Sequence, residues 1–290
     1  MQNNNQFGGH SMVANLQRVM VRRPNQALAN ADPQLWHYTS QIDLTKALDQ
    51  HNDFTKILRD HHVEVIDHTQ ESDVHADAIF VHDPALITNQ GAIILRMGKA
   101  LRHGEETLIK NSLKQLNIPI IGELTAPALA EGGDTLWLDE KTLLVGKGFR
   151  TNEQGVQQLR DILLPMGASV VDFDLCYFQG KEACLHLQSF ISLVNVNTAL
   201  VYKPLLPTRL FSLLEERNFK MIEVPENEFS TMGSNVLAIQ PDLVLSLDTN
   251  PITKMRLEQA GVTVLTYHGS ELSLKTEGGP TCLTRPIKRA

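Results

Sequence analysis

Hydrophobic and polar positions along this chain fall into a unit that recurs about every 50 residues, a period at which repeat architectures are expected. Each copy holds an amphipathic helix, a short turn and a β-branched strand that ends in polar residues. The copies run from Ile57-Leu58 into Val63-Glu64-Val65-Ile66, from Leu113 and Leu116 into Ile118-Pro119-Ile120-Ile121, and from Leu163-Leu164 into Ser169-Val170-Val171. Leu213-Leu214 into Lys220-Met221-Ile222 and Leu257 into Val262-Thr263-Val264-Leu265 complete the set.

A strand, a turn and a second strand are predicted after each copy, because apolar runs broken by Asn, Gly, Asp and Pro are hairpin signals. Ala78 to Thr88 turns at Asn89-Gln90-Gly91 into Ala92 to Arg96, and Thr135 to Leu138 turns at Asp139-Glu140 into Thr142 to Val145. Leu187 to Val194 turns at Asn195-Val196-Asn197 into Ala199 to Tyr202, and Val236 to Ile239 turns at Gln240-Pro241-Asp242 into Leu243 to Leu247. After the fifth copy only Cys282 to Arg285 remains before the C-terminal residues, and Arg18 to Val21 supplies the missing strand. The predicted fold is α/β: a five-bladed α/β propeller of ββαβ units closed by its N-terminal strand. Residues 1–12 are read as a flexible tail and 13–290 as a single α/β-propeller domain.

Closure gives the ring an axis on which equivalent positions of the units converge. Asp83, Glu131, His186, Asn235 and Cys282 stand at or near the start of the first hairpin strand in their units. Cys282 lies in Glu277-Gly278-Gly279-Pro280-Thr281-Cys282, where two glycines and a proline impose an irregular backbone suited to presenting a thiol into a cavity. A thiol reacts as thiolate and needs a neighbouring cation or base, for which His186, at the head of an apolar strand, is the natural partner. Glu131 in Glu131-Gly132-Gly133-Asp134 would orient that imidazole and favour its protonated form. Asp83, between the apolar run Ala78–Val81 and Pro84, is costly to desolvate without a cation, and a substrate guanidinium would serve.

With 42% hydrophobic and 20% charged residues in 290, the composition is that of a globular protein. A net charge of -7 and a pI of about 5.9, with no basic stripe, exclude a general affinity for nucleic acid. Met1 to His10 is polar and lacks the apolar centre of a signal peptide, and no segment reaches the ~20 apolar residues of a membrane span. A cytoplasmic protein without a membrane partner is expected. The odd set Cys176, Cys184 and Cys282 argues against a disulfide framework. Zinc is not expected, since Cys184-Leu185-His186 is the only close Cys/His pair. No cofactor is expected either: Gly146-Lys147-Gly148-Phe149 lacks a glycine of the dinucleotide fingerprint, and there is no phosphate-binding loop.

From about Arg18 to Arg289 the chain resembles the guanidine-modifying enzymes of the pentein fold, especially the dimethylarginine dimethylaminohydrolases. The resemblance rests on the order and spacing of Phe80-Val81-His82-Asp83, Glu131-Gly132-Gly133-Asp134, His186-Leu187 and the Cys282 segment. It implies Cys282 as nucleophile, His186 as general acid/base, Glu131 as the residue orienting it, and Asp83 as the guanidinium anchor. It further implies that Asp77, Arg102 and Arg150 grip the polar end of an amino-acid substrate. The implied activity is hydrolysis of arginine or an N-substituted arginine through a covalent S-alkylthiouronium, giving citrulline plus amine or ammonia. A citrulline or hydroxyarginine hydrolase, an arginine deiminase, an amidinotransferase and a non-catalytic arginine-binding module are the alternatives. Two departures bear on the substrate. His82 stands where dimethylargininases carry an acid, which weakens pairing with a cation and leaves a neutral ureido substrate open. Gln188 stands where arginine deiminases carry an aspartate, closer to the dimethylargininase pattern. The partner implied is a small guanidino or ureido amino acid; a homodimer is left open.

Overall fold

The computed structural model describes residues 6–290 and shows five three-stranded sheets. In sequence order the strands are β1 (Leu16–Val21), β2 (Glu64–Asp67), β3 (Ala85–Thr88), β4 (Gly91–Ile94), β5 (Ile120–Glu123), β6 (Thr135–Asp139), β7 (Thr142–Lys147) and β8 (Ser169–Asp174). The chain continues with β9 (Ile191–Asn195), β10 (Thr198–Val201), β11 (Lys220–Glu223), β12 (Leu237–Gln240), β13 (Leu243–Leu247), β14 (Thr263–Tyr267) and β15 (Arg285–Arg289). Four blades pair an antiparallel hairpin with a parallel third strand, as in β3-β4-β5, β6-β7-β8, β9-β10-β11 and β12-β13-β14. The fifth joins the chain's ends: β1 runs antiparallel to β15 and parallel to β2, with Val19 opposite Pro286 and Val65. The N-terminal strand therefore closes the ring as its hydrophobic pattern predicts.

One helix crosses over in each blade: α1 (Leu44–Asp60), α2 (Glu105–Gln115), α3 (Glu153–Leu163), α4 (Thr208–Glu216) and α5 (Pro251–Gln259). Parallel pairing requires such a crossover, since a tight turn cannot reverse the chain between parallel strands. The start of α3 is fixed by Asn152, whose side chain accepts a hydrogen bond from Gly155 N at 2.8 Å, and its apolar stripe of Val156, Leu159 and Leu163 is buried. Each middle strand is covered on both faces, which is why β7 reads as the unbroken run Leu143-Leu144-Val145.

Two stretches read as continuous strand are not. Ala76–Ile79 is a 3-10 turn and strand begins only at Ala85; likewise Leu187–Ser189 turns before β9. Phe80 N bonds to Asp77 O at 2.9 Å, and Pro84 has no N–H to give a ladder, so apolar Ala78-Ile79-Phe80-Val81 is buried without being strand. The same holds at the C-terminal thiol, which precedes β15 within a turn where Thr284 N bonds to Thr281 O at 3.1 Å. Much of the expected tail is docked: Gly8 N bonds to Ile287 O at 2.9 Å, and His10 stacks on Trp137 at 4.0 Å. The first five residues of that tail lie outside the described residues. Among the described residues no helix is long and apolar enough to cross a membrane.

Candidate active site

Five irregular segments, one per blade, lead into the first strand of each hairpin and bring Asp83, Glu131, His186, Asn235 and Cys282 together at the ring axis. His186 and Glu131 are buried and share a 2.7 Å hydrogen bond between Nε2 and Oε2. The second carboxylate oxygen of Glu131 accepts from Gly98 N at 2.8 Å and Lys99 N at 3.1 Å, with Arg150 Nη1 3.6 Å away. Burial pushes the Glu131 carboxyl up, but the His186 hydrogen bond and charge, with Arg150 and Arg102, outweigh it and hold it well below the usual carboxylate range. Burial also opposes a charge on His186, yet the neighbouring Cys184 and Asp134 and the hydrogen bond to Glu131 raise its pKa well above the ordinary imidazole value. The carboxylate at hydrogen-bond distance favours the protonated form of the imidazole.

Glycine is required beside that ring. A Cβ on Gly133 would run into His186 Nδ1 and Cγ, so Glu131-Gly132-Gly133 is a turn whose second glycine admits the imidazole. Gly278 in the thiol loop is likewise pressed on Phe80.

Cys282 lines the same cavity as His186, Asp83, Asp77, Arg102 and Arg150. Its sulfur accepts from Asn235 Nδ2 at 3.4 Å, while Asn235 Oδ1 takes Thr281 N at 3.0 Å, so Asn235 clamps the thiol loop. Burial, then the nearby charge of Asp83, pushes the thiol up to about 11 against the partial relief given by His186.

Asp83 is buried with both oxygens engaged: Oδ1 accepts from Gly133 N at 2.9 Å and Oδ2 from Arg102 Nη1 at 2.7 Å. Burial raises its carboxyl, but Arg102 and His186 more than offset that and its pKa is lowered. Arg102 turns its Nε and Nη2 on Glu105, and Nη2 also reaches Phe80 O at 3.1 Å. Asp77 is held by Lys99 Nζ at 2.6 Å and Tyr38 Oη at 2.8 Å. Arg150 has looser ties, with Nη2 on Glu182 O at 3.3 Å.

A family profile described as N,N dimethylarginine dimethylhydrolase, eukaryotic, matches residues 18–289. The chain belongs to this family. The dimethylarginine dimethylaminohydrolase of Pseudomonas aeruginosa is 26% identical over 266 residues, covering 92% of this chain and 97% of the relative. The arginine deiminase of Listeria innocua is 28% identical over 249 residues, 72% of this chain and 61% of that longer protein. The solved structure of the P. aeruginosa enzyme, a Cys-to-Ser variant complexed with citrulline, has a TM-score of 0.77 at 25% identity and covers 93% of this chain and 98% of that one. The fold shared within the family is the five-bladed α/β propeller.

His82, where the family pattern has an acid, does not line the cavity. Its Nδ1 faces Thr284 O at 2.9 Å and its Nε2 the Gln188 amide at 3.0 Å, and burial followed by the charge of Arg285 lowers it to about 3. It is a neutral, hydrogen-bonded core histidine. Gln188 is buried too, with its amide on Thr135 O at 2.6 Å.

Lys99, Cys184 and Glu277, none of them expected as site residues from the sequence, also line the cavity, as do Trp36 and His37 from the loop that leads to Tyr38. Lys99 lies over the Trp36 ring at 4.9 Å, bringing the 32–38 segment to the mouth. Cys184 Sγ is 3.4 Å from His186 Nδ1, a contact that its spacing of two residues from the histidine could have signalled. Ligand-type atoms of Asp83, Glu131 and His186 lie within 4.8 Å of one another, the distance at which such groups could hold a metal. Each already has a partner in Arg102, Gly133, Gly98 or Lys99, or in the Glu131–His186 bond itself.

Proposed function

We propose that this protein is a cysteine-dependent hydrolase of the guanidinium group of arginine or an N-substituted arginine. The observation that carries the reading is the buried Glu131–His186 pair at 2.7 Å opening onto the same cavity as Cys282 and Asp83. Relatives named for dimethylarginine hydrolysis and arginine deimination support it.

In the first step the planar cation docks against Asp83, with its central carbon at the sulfur of Cys282. Cation binding offsets the Asp83 charge that helps keep the thiol protonated, so the substrate itself promotes loss of the thiol proton to solvent and formation of the thiolate. The thiolate adds to the guanidinium carbon. His186 enters as imidazolium, protonates the departing nitrogen and is left neutral; Glu131 holds the ring throughout. Neutral His186 then takes a proton from water as it attacks the S-alkylthiouronium, and collapse releases citrulline and the free thiol. Arg150 receives the substrate carboxylate. Arg102, engaged with Asp83 and Glu105, acts first as the positioning residue for Asp83, and Asp77 fixes Lys99 at the mouth.

A second reading, hydrolysis of a neutral ureido group, is favoured by one observation: Asp83 is already paired with Arg102 at 2.7 Å, so part of its charge is compensated before any cation binds. One experiment separates them. The protein is incubated with arginine, methylated arginines, hydroxyarginine, agmatine and citrulline, and products are identified by mass. Citrulline from a guanidino substrate is the expected result; turnover of citrulline alone would replace the first reading by the second, and no turnover of any would remove both.

A further inference from the structure

Two cavities, not one, meet at the reactive thiol. The first is the polar slot already described, with a volume of about 50 Å³. The second, of about 150 Å³, shares Cys282, His186, Cys184 and Glu277 with it and extends away from Asp83, Arg102 and Arg150. Its wall is apolar: Phe178, Ala183, Leu185, Phe229 and Met232. The wall is anchored. Phe229 stacks on Tyr202 at 4.1 Å and meets Phe178 edge-on at 5.8 Å; Leu185 and Phe229 pack on one core cluster and Met232 on another. Of the polar side chains in the chamber, Ser189 Oγ is taken by His186 N at 3.0 Å, and Asn235 is held between Thr281 N and the Cys282 sulfur. Gln179, Ser230 and Glu277, the last shared with the slot, complete the polar lining, and among the described residues no Lys or Arg stands there to receive a carboxylate.

The charged end of an arginine-like substrate therefore belongs in the polar slot, which places its guanidinium carbon at Cys282 where the two spaces join. The nitrogen that leaves must face His186, and His186 borders the chamber. A substituent on that nitrogen points into apolar space much larger than two methyl groups need. A cavity of this size and lining is of the kind that accepts a benzene-sized apolar guest.

We propose that the chamber bounded by Phe178, Ala183, Leu185, Phe229 and Met232 binds the alkyl substituent of the departing nitrogen, making Nω-monoalkylarginines with chains longer than methyl preferred substrates. The inference rests on the hydrolase reading above and refines its substrate class. In the step concerned, the carbon–nitrogen bond to the alkylated nitrogen breaks as His186 delivers its proton. The alkylamine leaves through the chamber, and water supplies the oxygen of citrulline.

The test is kcat/KM for arginine and its Nω-methyl, propyl and pentyl derivatives. The expected rise is about fourfold per added methylene until the chamber is full. Ala183→Phe, which fills the chamber, should lower the pentyl-to-methyl ratio at least tenfold, and Phe229→Ala should move the optimum to a longer chain. Equal or falling kcat/KM from methyl to pentyl in a protein that does hydrolyse arginine or methylarginine would overturn the inference and leave the hydrolase reading standing. A second readout needs no turnover: the rate of Cys282 alkylation by 2-chloroacetamidine compared with its N-butyl derivative. Faster labelling by the butyl compound, lost in Ala183→Phe, supports the chamber whatever the substrate proves to be; equal or slower labelling overturns it.

Discussion

In the free protein Cys282 is a protonated thiol, and the environment that makes it so is also what a bound cation would relieve. Its pKa is pushed from an ordinary value near 9 up to about 11 by burial first and the Asp83 carboxylate second. Two pH units make the thiolate fraction about a hundredfold smaller than an ordinary cysteine's at any pH well below both values. At pH 7.5 about three molecules in ten thousand would carry thiolate. The sign is that of an acid with a raised pKa: neutral below about 11, charged above it. Alkylation of Cys282 by iodoacetamide, followed by mass mapping so that Cys176 and Cys184 are scored separately, should therefore climb about tenfold per pH unit from 7 to 10 without levelling. Replacing Asp83 by Asn removes a carboxylate that disfavours thiolate and leaves Arg102 nearby, so labelling at pH 7.5 should rise, on the order of tenfold. The same variant loses its anchor for a cationic substrate, and turnover should fall. Opposite movement of the two rates is the signature. A plateau in the wild-type labelling rate with a midpoint below pH 8, or slower labelling of Asp83→Asn, would refute the reasoning, because the thiol would then be activated before any substrate arrives.

Other outcomes follow from the remaining geometry. Glu131→Gln should lower kcat by on the order of a hundredfold or more. It should also shift the alkaline limb of the pH profile to lower pH, since the imidazolium that donates the proton loses the partner holding it charged; an unmoved limb would remove Glu131 from that role. Gly133→Ala should keep the fold by circular dichroism yet cost about a hundredfold in kcat, because its Cβ must displace the His186 ring. Arg102→Ala leaves Asp83 and Glu105 buried without their cation, a loss of about 3–5 kcal/mol that should lower Tm by on the order of 10 °C. Arg150→Ala should raise KM with a much smaller Tm change, and the reverse pattern in these two variants would exchange their assignments.

The ring was legible because it is written in periodicity. Five helix-to-strand passages, the hairpin turn residues and the orphaned pairing edge of the last blade are local patterns, and β1 between β15 and β2 is their consequence. The convergence of Asp83, Glu131, His186, Asn235 and Cys282 followed from equivalence of position. Burial misled where hydrophobicity was taken for strand: Phe80 and Leu187 are buried in turns, whose carbonyls are satisfied by Arg102 or by short-range bonds rather than by a ladder. Direction was invisible as well. His82 is next to Asp83 in sequence but faces Gln188 and Thr284 in the core, because successive side chains in the turn diverge. The state of Arg102 was equally hidden, since Glu105, three residues on, gave no sign of being the second carboxylate on its guanidinium. Lys99 and Glu277 reach the cavity only through the packing of loops between blades.

The most direct measurement is mass analysis of the protein acid-quenched during turnover of a methylated arginine, with peptide mapping of all three cysteines. The account predicts a substrate-derived adduct, lighter than the substrate by the departed amine, on the peptide containing Cys282 and absent in Cys282→Ser. Steady citrulline formation by the Cys282→Ser variant, or an adduct confined to Cys184 or Cys176, would contradict it.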